Sequence, residues 1–227
     1  MLKFSDQSDS ESIKKTIESL HKEVVASYPI VTLLNRGVKN KTCVDLGSNI
    51  GIFTAYASAY FEKVCAFEAS ETTFSLSKRF LKANNILNAN VYNLAVWSKS
   101  DETLKVVNPS YASTTESKDA SVVYQAKDEE FELVKTISLA DIFKLANVDY
   151  IDYLKIDIEG AEYETLLNHD LSNIGVVVGE IHSHPTMPFD GEDGSRILLM
   201  NHVKKKFDIL WETPNNFISI SKEIKKP

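Results

Sequence analysis

The chain has 227 residues, of which 43% are hydrophobic and 25% charged, and it carries a net charge of -7. That length and balance suit a globular protein with one sizeable core and no apolar run of membrane-spanning length, while the acidic charge argues against nucleic acid as a partner. Cys43 and Cys65 sit in apolar runs without a CxxC pair or Cys/His metal spacing, and "MLKFSDQSDSES" lacks an apolar signal core, so reduced core thiols, a cytoplasmic location and no membrane association are expected.

Residues 8–27 read as an amphipathic helix, with Ile13, Ile17, Leu20 and Val24 at helical spacing and Ser8 or Ser10 as a cap. Residues 1–40 are therefore expected to form an N-terminal helical extension. Its role is open between packing, a lid and a dimer contact. From residue 42 strands and helices alternate: "TCVDLG", then the helix "GIFTAYASAYF"; "KVCAFEA", then "ETTFSLSKRFLKANN"; and "NVYNLAV" as a third strand. A helix "TISLADIFKLA" over 136–146 follows, then the strand "YIDYLKIDI", the helix "GAEYETLLNH", the strand "GVVVGEIH", the helix "GSRILLMNHVKKKF" and a last strand "NNFISISK". Short apolar strands alternating with helices predict a mostly parallel, doubly wound α/β sheet, with ligands bound beyond the carboxyl ends of the strands. Residues 41–227 thus read as one domain. Residues 98–130 interrupt it with a polar insertion, read either as a substrate loop or as solvated surface, whose flanks "ETLKVV" and "FELVKTI" pair as an antiparallel hairpin.

The segment "DLGSNIG" joins the first strand to the first helix of this alternation. Gly47 and Gly51 allow a tight turn and close helix–sheet packing. A pyrophosphate cradle needs a glycine between them, and Asn49 occupies that place, which favours a cofactor without a pyrophosphate. S-adenosylmethionine is such a cofactor. Its carboxylate suits a helix N-terminus, and Asp45 is placed to balance its ammonium or sulfonium charge. Glu68, at the end of the second strand, is a carboxylate for the two ribose hydroxyls. Asp157 ends the fourth strand beside the switch point. Glu159 and Glu162 flank Gly160, and Glu162 reads as a structural acid in a first helical turn. Glu180 and His182 share a face of the fifth strand and should emerge beside Asp157. An imidazole there suits general-base removal of a hydroxyl proton, with a plain hydrogen-bonding histidine as the alternative. His184 reads as a loop residue, and Lys204, Lys205 and Lys206 as complements to a helix dipole.

Together "VDLGSNIGIFT", "CAFEAS", "NLAV", "LKIDIEGAEYETL" and "VGEIH" resemble the FkbM family of S-adenosylmethionine-dependent methyltransferases, over roughly residues 42–183. The resemblance implies a seven-stranded Rossmann-like sheet of the class I methyltransferase type and methyl transfer to oxygen. The acceptor would be a small-molecule, sugar, glycan or natural-product-like hydroxyl, and S-adenosylhomocysteine the product. By position it gives the cofactor role to Asp45, Gly47, Ser48, Asn49, Gly51, Glu68 and Ala69. Ala95 and Val96, read as the end of the third strand, would meet the adenine. Asp157 and Glu159 inherit the acidic motif, and with His182 they form the expected catalytic set. Three other readings stay open: a Mg²⁺-dependent transferase with Asp157, Glu180 and His182 as ligands, a non-catalytic S-adenosylmethionine-binding module, and an NAD-dependent oxidoreductase, which Asn49 disfavours.

Overall fold

The structure, a computed structural model, describes residues 11–107, 121–122, 131–182 and 194–224, with backbone only at 11–13, 107 and 121–122. Ser8, Ser10, His184 and most of the polar insertion lie outside the described residues.

Eleven strands and seven helices run through the described chain. The main sheet holds β1 (Thr42–Leu46), β2 (Lys63–Glu68), β3 (Ala89–Asn93), β8 (Tyr153–Ile156), β9 (Val176–Glu180), β10 (Phe207–Glu212) and β11 (Asn216–Ser221). Their order is β10-β11-β9-β8-β1-β2-β3. The five strands from β9 to β3 are mutually parallel, and β11 runs antiparallel to both β9 and β10. The seven-stranded, mostly parallel α/β sheet implied by the resemblance is present. β10 is an addition to the sequence reading: the helix that ends at Lys206 passes straight into Phe207, and Ile209–Trp211 carries a register shift that blurs its alternation.

Strand alternation sends side chains to two cores. Val44, Leu46, Phe67, Leu154 and Ile156 pack against α5 (Leu139–Ala146), α6 (Glu162–Leu167) and α7 (Gly194–Lys206) on one face. Cys43, Val64, Tyr153 and Val178 pack against α2 (Ile30–Leu34) and α3 (Ile52–Ser58) on the other. There α1 (Glu11–Ser27) and α4 (Glu71–Ala83) complete the layer through Ile17, Ile52, Phe80 and Leu81. Both cysteines are free and buried. Among the described residues no helix is long and apolar enough to cross a membrane.

A second sheet, ordered β4-β7-β5-β6, contains β4 (Ala95–Trp97), β5 (Thr103–Val107), β6 (Ser121–Val122) and β7 (Phe131–Ser138). β5 and β7 pair antiparallel, as the flanks of the insertion predict. Two expected boundaries shift. The helix over 136–146 begins only at Leu139, because Ser138 caps it by accepting from the Asp141 N–H at 3.2 Å and Thr136–Ser138 complete β7. The third strand is broken at Leu94, so Ala95 and Val96 do not end β3; they belong to β4 and pair with Thr136 and Ile137.

Candidate active site

The glycine turn is built by obstruction. Gly47 has φ +77°, and a Cβ there would fall 1.7 Å from the Asp157 carbonyl oxygen, so only glycine lets the two strand ends cross. Gly51 has φ +90°, and a Cβ would approach Ser77 Oγ at 2.6 Å, where α4 packs on α3. Asn49 is also left-handed, at φ 48°, a conformation that asparagine tolerates better than most residues. Every N–H of the turn is engaged. Gly47 and Ser48 both donate to the Phe67 carbonyl at 3.0 Å, and Gly51 to Ser48 O at 2.9 Å. Asn49 donates to Glu68 Oε2 at 2.8 Å, and Ile50 to Asn49 Oδ1 at 2.7 Å. A pyrophosphate would have to displace these bonds, so the turn as folded is no phosphate cradle. Ser48 Oγ is buried without a hydrogen-bond partner among the described residues.

Glu68 closes the turn from the next strand. Its carboxylate accepts from the N–H groups of Asn49 and of Ser70, the latter at 3.0 Å, leaving further lone pairs able to accept. Burial raises its pKa to about 7, against the opposing effect of the two N–H bonds. Asn93 donates to the carbonyls of Glu68 and Ala69 at 3.1 and 2.9 Å, fixing the segment that follows. Ala69 packs beside Ala95 in a small cluster with Val106 and Val134, while Val96 turns into the main core.

Asp45 differs from its sequence expectation. It is fully buried; Oδ2 accepts from Thr54 Oγ1 at 2.6 Å, and Oδ1 faces the Lys155 ammonium at 3.4 Å without a well-directed hydrogen bond. Its charge is spent inward, beneath the turn, and burial pushes its pKa up. Direct balance of a cofactor cation by Asp45 is therefore replaced by a buried pair with Lys155.

Lys155 is the residue that sequence reading passed over. It lies mid-strand in an apolar run, 3% exposed, and donates to the carbonyls of Gly47 at 2.6 Å and Leu46 at 3.3 Å. It pairs with Asp45 and, at 3.6 Å, with Asp157 Oδ2. Burial alone would lower its pKa, yet the two carboxylates outweigh burial and raise it. The signal was present: a lysine at the centre of a buried parallel strand must be paired, and the β1–β8 register sets Asp45 opposite Lys155. Tyr28, at the corner between α1 and α2, was missed too. Its hydroxyl donates to Asp157 Oδ2 at 3.4 Å, and its ring lies 5.8 Å from Lys155 Nζ.

Asp157 and His182 lie just past the ends of the adjacent strands β8 and β9, and Glu180 is the last residue of β9. Ligand atoms of Asp157, Glu180 and His182 all lie within 4.8 Å of one another, so the structure brings this sequence-derived trio together. Glu162 anchors the cluster from a fully buried position. It accepts from Ile158 N at 3.1 Å, Gly160 N at 3.0 Å and His182 Nδ1 at 3.0 Å, closing a turn in which Glu159 and Gly160 both have positive φ. His182 Nε2 stands 3.3 Å from Glu159 and 3.9 Å from Glu180. Burial opposes the charged ring, but the Glu162 bond and the surrounding carboxylates prevail and push its pKa up to about 9. That shift favours the imidazolium at neutral pH, a donor rather than the base expected of a free imidazole.

The profile of a family described as "Methyltransferase FkbM domain" matches residues 45–208. A curated relative, "Methyltransferase 1" of Beauveria bassiana (strain ARSEF 2860), is 24% identical over 180 residues, covering 69% of this chain and 69% of its own. Among solved structures, an S-adenosylmethionine-dependent methyltransferase from Aquifex aeolicus is similar with a TM-score of 0.47 and 12% identity, covering 94% of this chain and 98% of that one. An rRNA methylase from Streptococcus thermophilus is similar with a TM-score of 0.45 and 11% identity, covering 91% and 96%.

Proposed function

The chain belongs to the methyltransferase FkbM domain family, and on that premise we propose that it uses S-adenosylmethionine to methylate a hydroxyl oxygen of a sugar, glycan or natural-product-like small molecule. The observation that carries the acceptor class is the acidic rim at the ends of β8 and β9. Asp157, Glu159 and Glu180 are 28%, 22% and 36% exposed at their side chains and surround His182. Carboxylates accept hydrogen bonds from a polyol and repel phosphates, which favours a hydroxylated acceptor over RNA.

When bound, S-adenosylmethionine supplies an electrophilic methyl group on a sulfonium. The chain's share is binding, alignment and proton removal. Glu68 takes the ribose hydroxyls, with Ala69 and the β4 residues Ala95 and Val96 on the adenine side. Gly47, Ser48, Asn49 and Gly51 shape the turn beneath. Asp157 faces the methionine end and receives the acceptor's proton. His182, as an imidazolium, holds Glu159 and Glu162 in place rather than serving as the base. Alignment of the acceptor oxygen with the methyl group is the largest contribution, on the order of 7–11 kcal/mol.

A methyl-transfer screen over free sugars, nucleotide sugars, glycans and polyols, read by mass spectrometry with RNA transcripts as a parallel arm, tests this. Methylated polyol products are expected, and methylated RNA alone would overturn the acceptor class. Asp157, Glu180 and His182 converge within 4.8 Å, which favours a second reading: a divalent cation would displace the His182 proton, be held by the three side chains and lower the pKa of the acceptor hydroxyl. Loss of turnover in EDTA, restored by Mg²⁺, separates the two.

A further inference from the structure

The Asp157 carboxylate is held asymmetrically. The Tyr28 hydroxyl at 3.4 Å and the Lys155 ammonium at 3.6 Å both meet Oδ2, whereas Oδ1 receives no hydrogen bond from the described residues. Neither partner is loose. Lys155 is pinned by the carbonyls of Gly47 and Leu46 and by Asp45. Tyr28, 8% exposed, packs edge-on against Phe53 with ring centroids 5.0 Å apart. The Asp157 backbone is fixed as well, its N–H donating to Leu46 O at 3.1 Å. A carboxylate with a fixed backbone and one oxygen clamped from two sides can direct only its other oxygen outward.

We propose that Tyr28 is a positioning residue: together with Lys155 it clamps Asp157 by Oδ2, so that Oδ1 is presented to the methionine end of the cofactor and to the acceptor hydroxyl. Tyr28 lies outside residues 45–208 that match the family, so the N-terminal segment completes the transfer site. This rests on Asp157 standing at the methionine end, as in the function proposed above. Tyr28 touches neither methyl donor nor acceptor; it acts through Asp157. Lys155 lies against the carbonyls of Leu46 and Gly47, where its charge offsets Asp45 and Asp157.

The test compares two ligands that differ only beyond the sulfur. S-adenosylhomocysteine carries the amino-acid end, and 5′-methylthioadenosine lacks it. Calorimetry on the full chain measures both for wild type, Tyr28→Phe, Asp157→Asn and the double variant. Tyr28→Phe keeps the ring and its packing, so folding is preserved. It is expected to weaken S-adenosylhomocysteine about three- to tenfold, in line with the net worth of one ordinary hydrogen bond, since the 3.4 Å contact is long and acts on the ligand only through Asp157, and to leave 5′-methylthioadenosine unchanged. In the Asp157→Asn background the Tyr28 change should have no further effect, the signature of residues acting as one unit. An equal loss for both ligands makes Tyr28 a mere support of the fold and overturns the proposal. So does Tyr28→Phe leaving S-adenosylhomocysteine unaffected while Asp157→Asn weakens it, an outcome that spares the reading of Asp157. If Asp157→Asn itself changes neither ligand, the placement of Asp157 fails first.

Discussion

Glu68 carries a carboxyl that is half-protonated near neutrality, because burial pushes its pKa from 4.5 to about 7. For an acid raised in this way, stability is fully present below pH 4.5 and is lost as pH rises through about 7. If Glu68 takes the ribose hydroxyls, as proposed, they donate to its anion, so cofactor binding should pull the proton off and tighten as pH rises over the same window. The thermal shift induced by S-adenosylhomocysteine should therefore grow from pH 6 to pH 8, and Glu68→Gln should flatten that dependence and weaken binding. A pH-independent shift in wild type would place the ribose elsewhere. Chemistry, by contrast, should reside in Asp157. Asp157→Asn is expected to lower turnover by about 10²–10⁴-fold if its carboxylate takes the acceptor's proton. His182→Ala should reduce turnover less and leave the affinity for S-adenosylhomocysteine nearly intact, as single-turnover kinetics on both variants will distinguish. A larger loss for His182→Ala would return the base to the imidazole.

The glycine turn and the "DIEG" loop form one crossing between β1 and β8. Gly47→Ala would drive a Cβ to 1.7 Å from the Asp157 carbonyl, which the backbone can relieve only by separating the strand ends. That substitution should abolish S-adenosylhomocysteine binding and lower the melting temperature. Gly194→Ala at the start of α7, with none of the described residues within 4 Å of the added methyl, should do neither. Much of this crossing was legible in the sequence, because turns and strand ends are specified locally: glycine spacing, the acid at the end of β2, and the period-two placement of Glu180 and His182. Contacts across strands were less legible. Lys155 disappeared into an apolar run, since its role depends on a register that pairs it with Asp45. Asp45 was read as facing a ligand because nothing local marks which acid lies under the turn. The break at Leu94 and the start of α5 at Leu139 were set by pairing of β4 with β7, a partner supplied from about forty residues away in sequence.

At the scale of the whole molecule, α1 and α2 are part of the packed body rather than appendages. Ile30 and Leu33 are 0% and 1% exposed, and they share a core with Cys43, Phe53 and Tyr153. Leu33→Ala should destabilise the protein by about 2–5 kcal/mol, measured by urea unfolding, as expected for a core leucine rather than a surface one. A change below about 0.5 kcal/mol, typical of surface substitutions, would mean that α2 packs only loosely. This burial was invisible in the sequence because "IVTLL" is too short to show a period, and its partners lie on β1 and α3. The order of the sheet has a consequence in time as well as in space. β9, which leads into His182, is flanked on one side by β8, already made, and on the other by β11, which comes later in the chain than α7 and β10. In the order of synthesis, β9 therefore lacks its native partner on that side until residues 216–221 have been made and can pair with it. Until then its row of backbone donors and acceptors is a template for any other extended chain. The strand that ends in Glu180 and leads into His182 is thus the one most in need of protection during biosynthesis, and the sheet around it is finished only when that gap is filled.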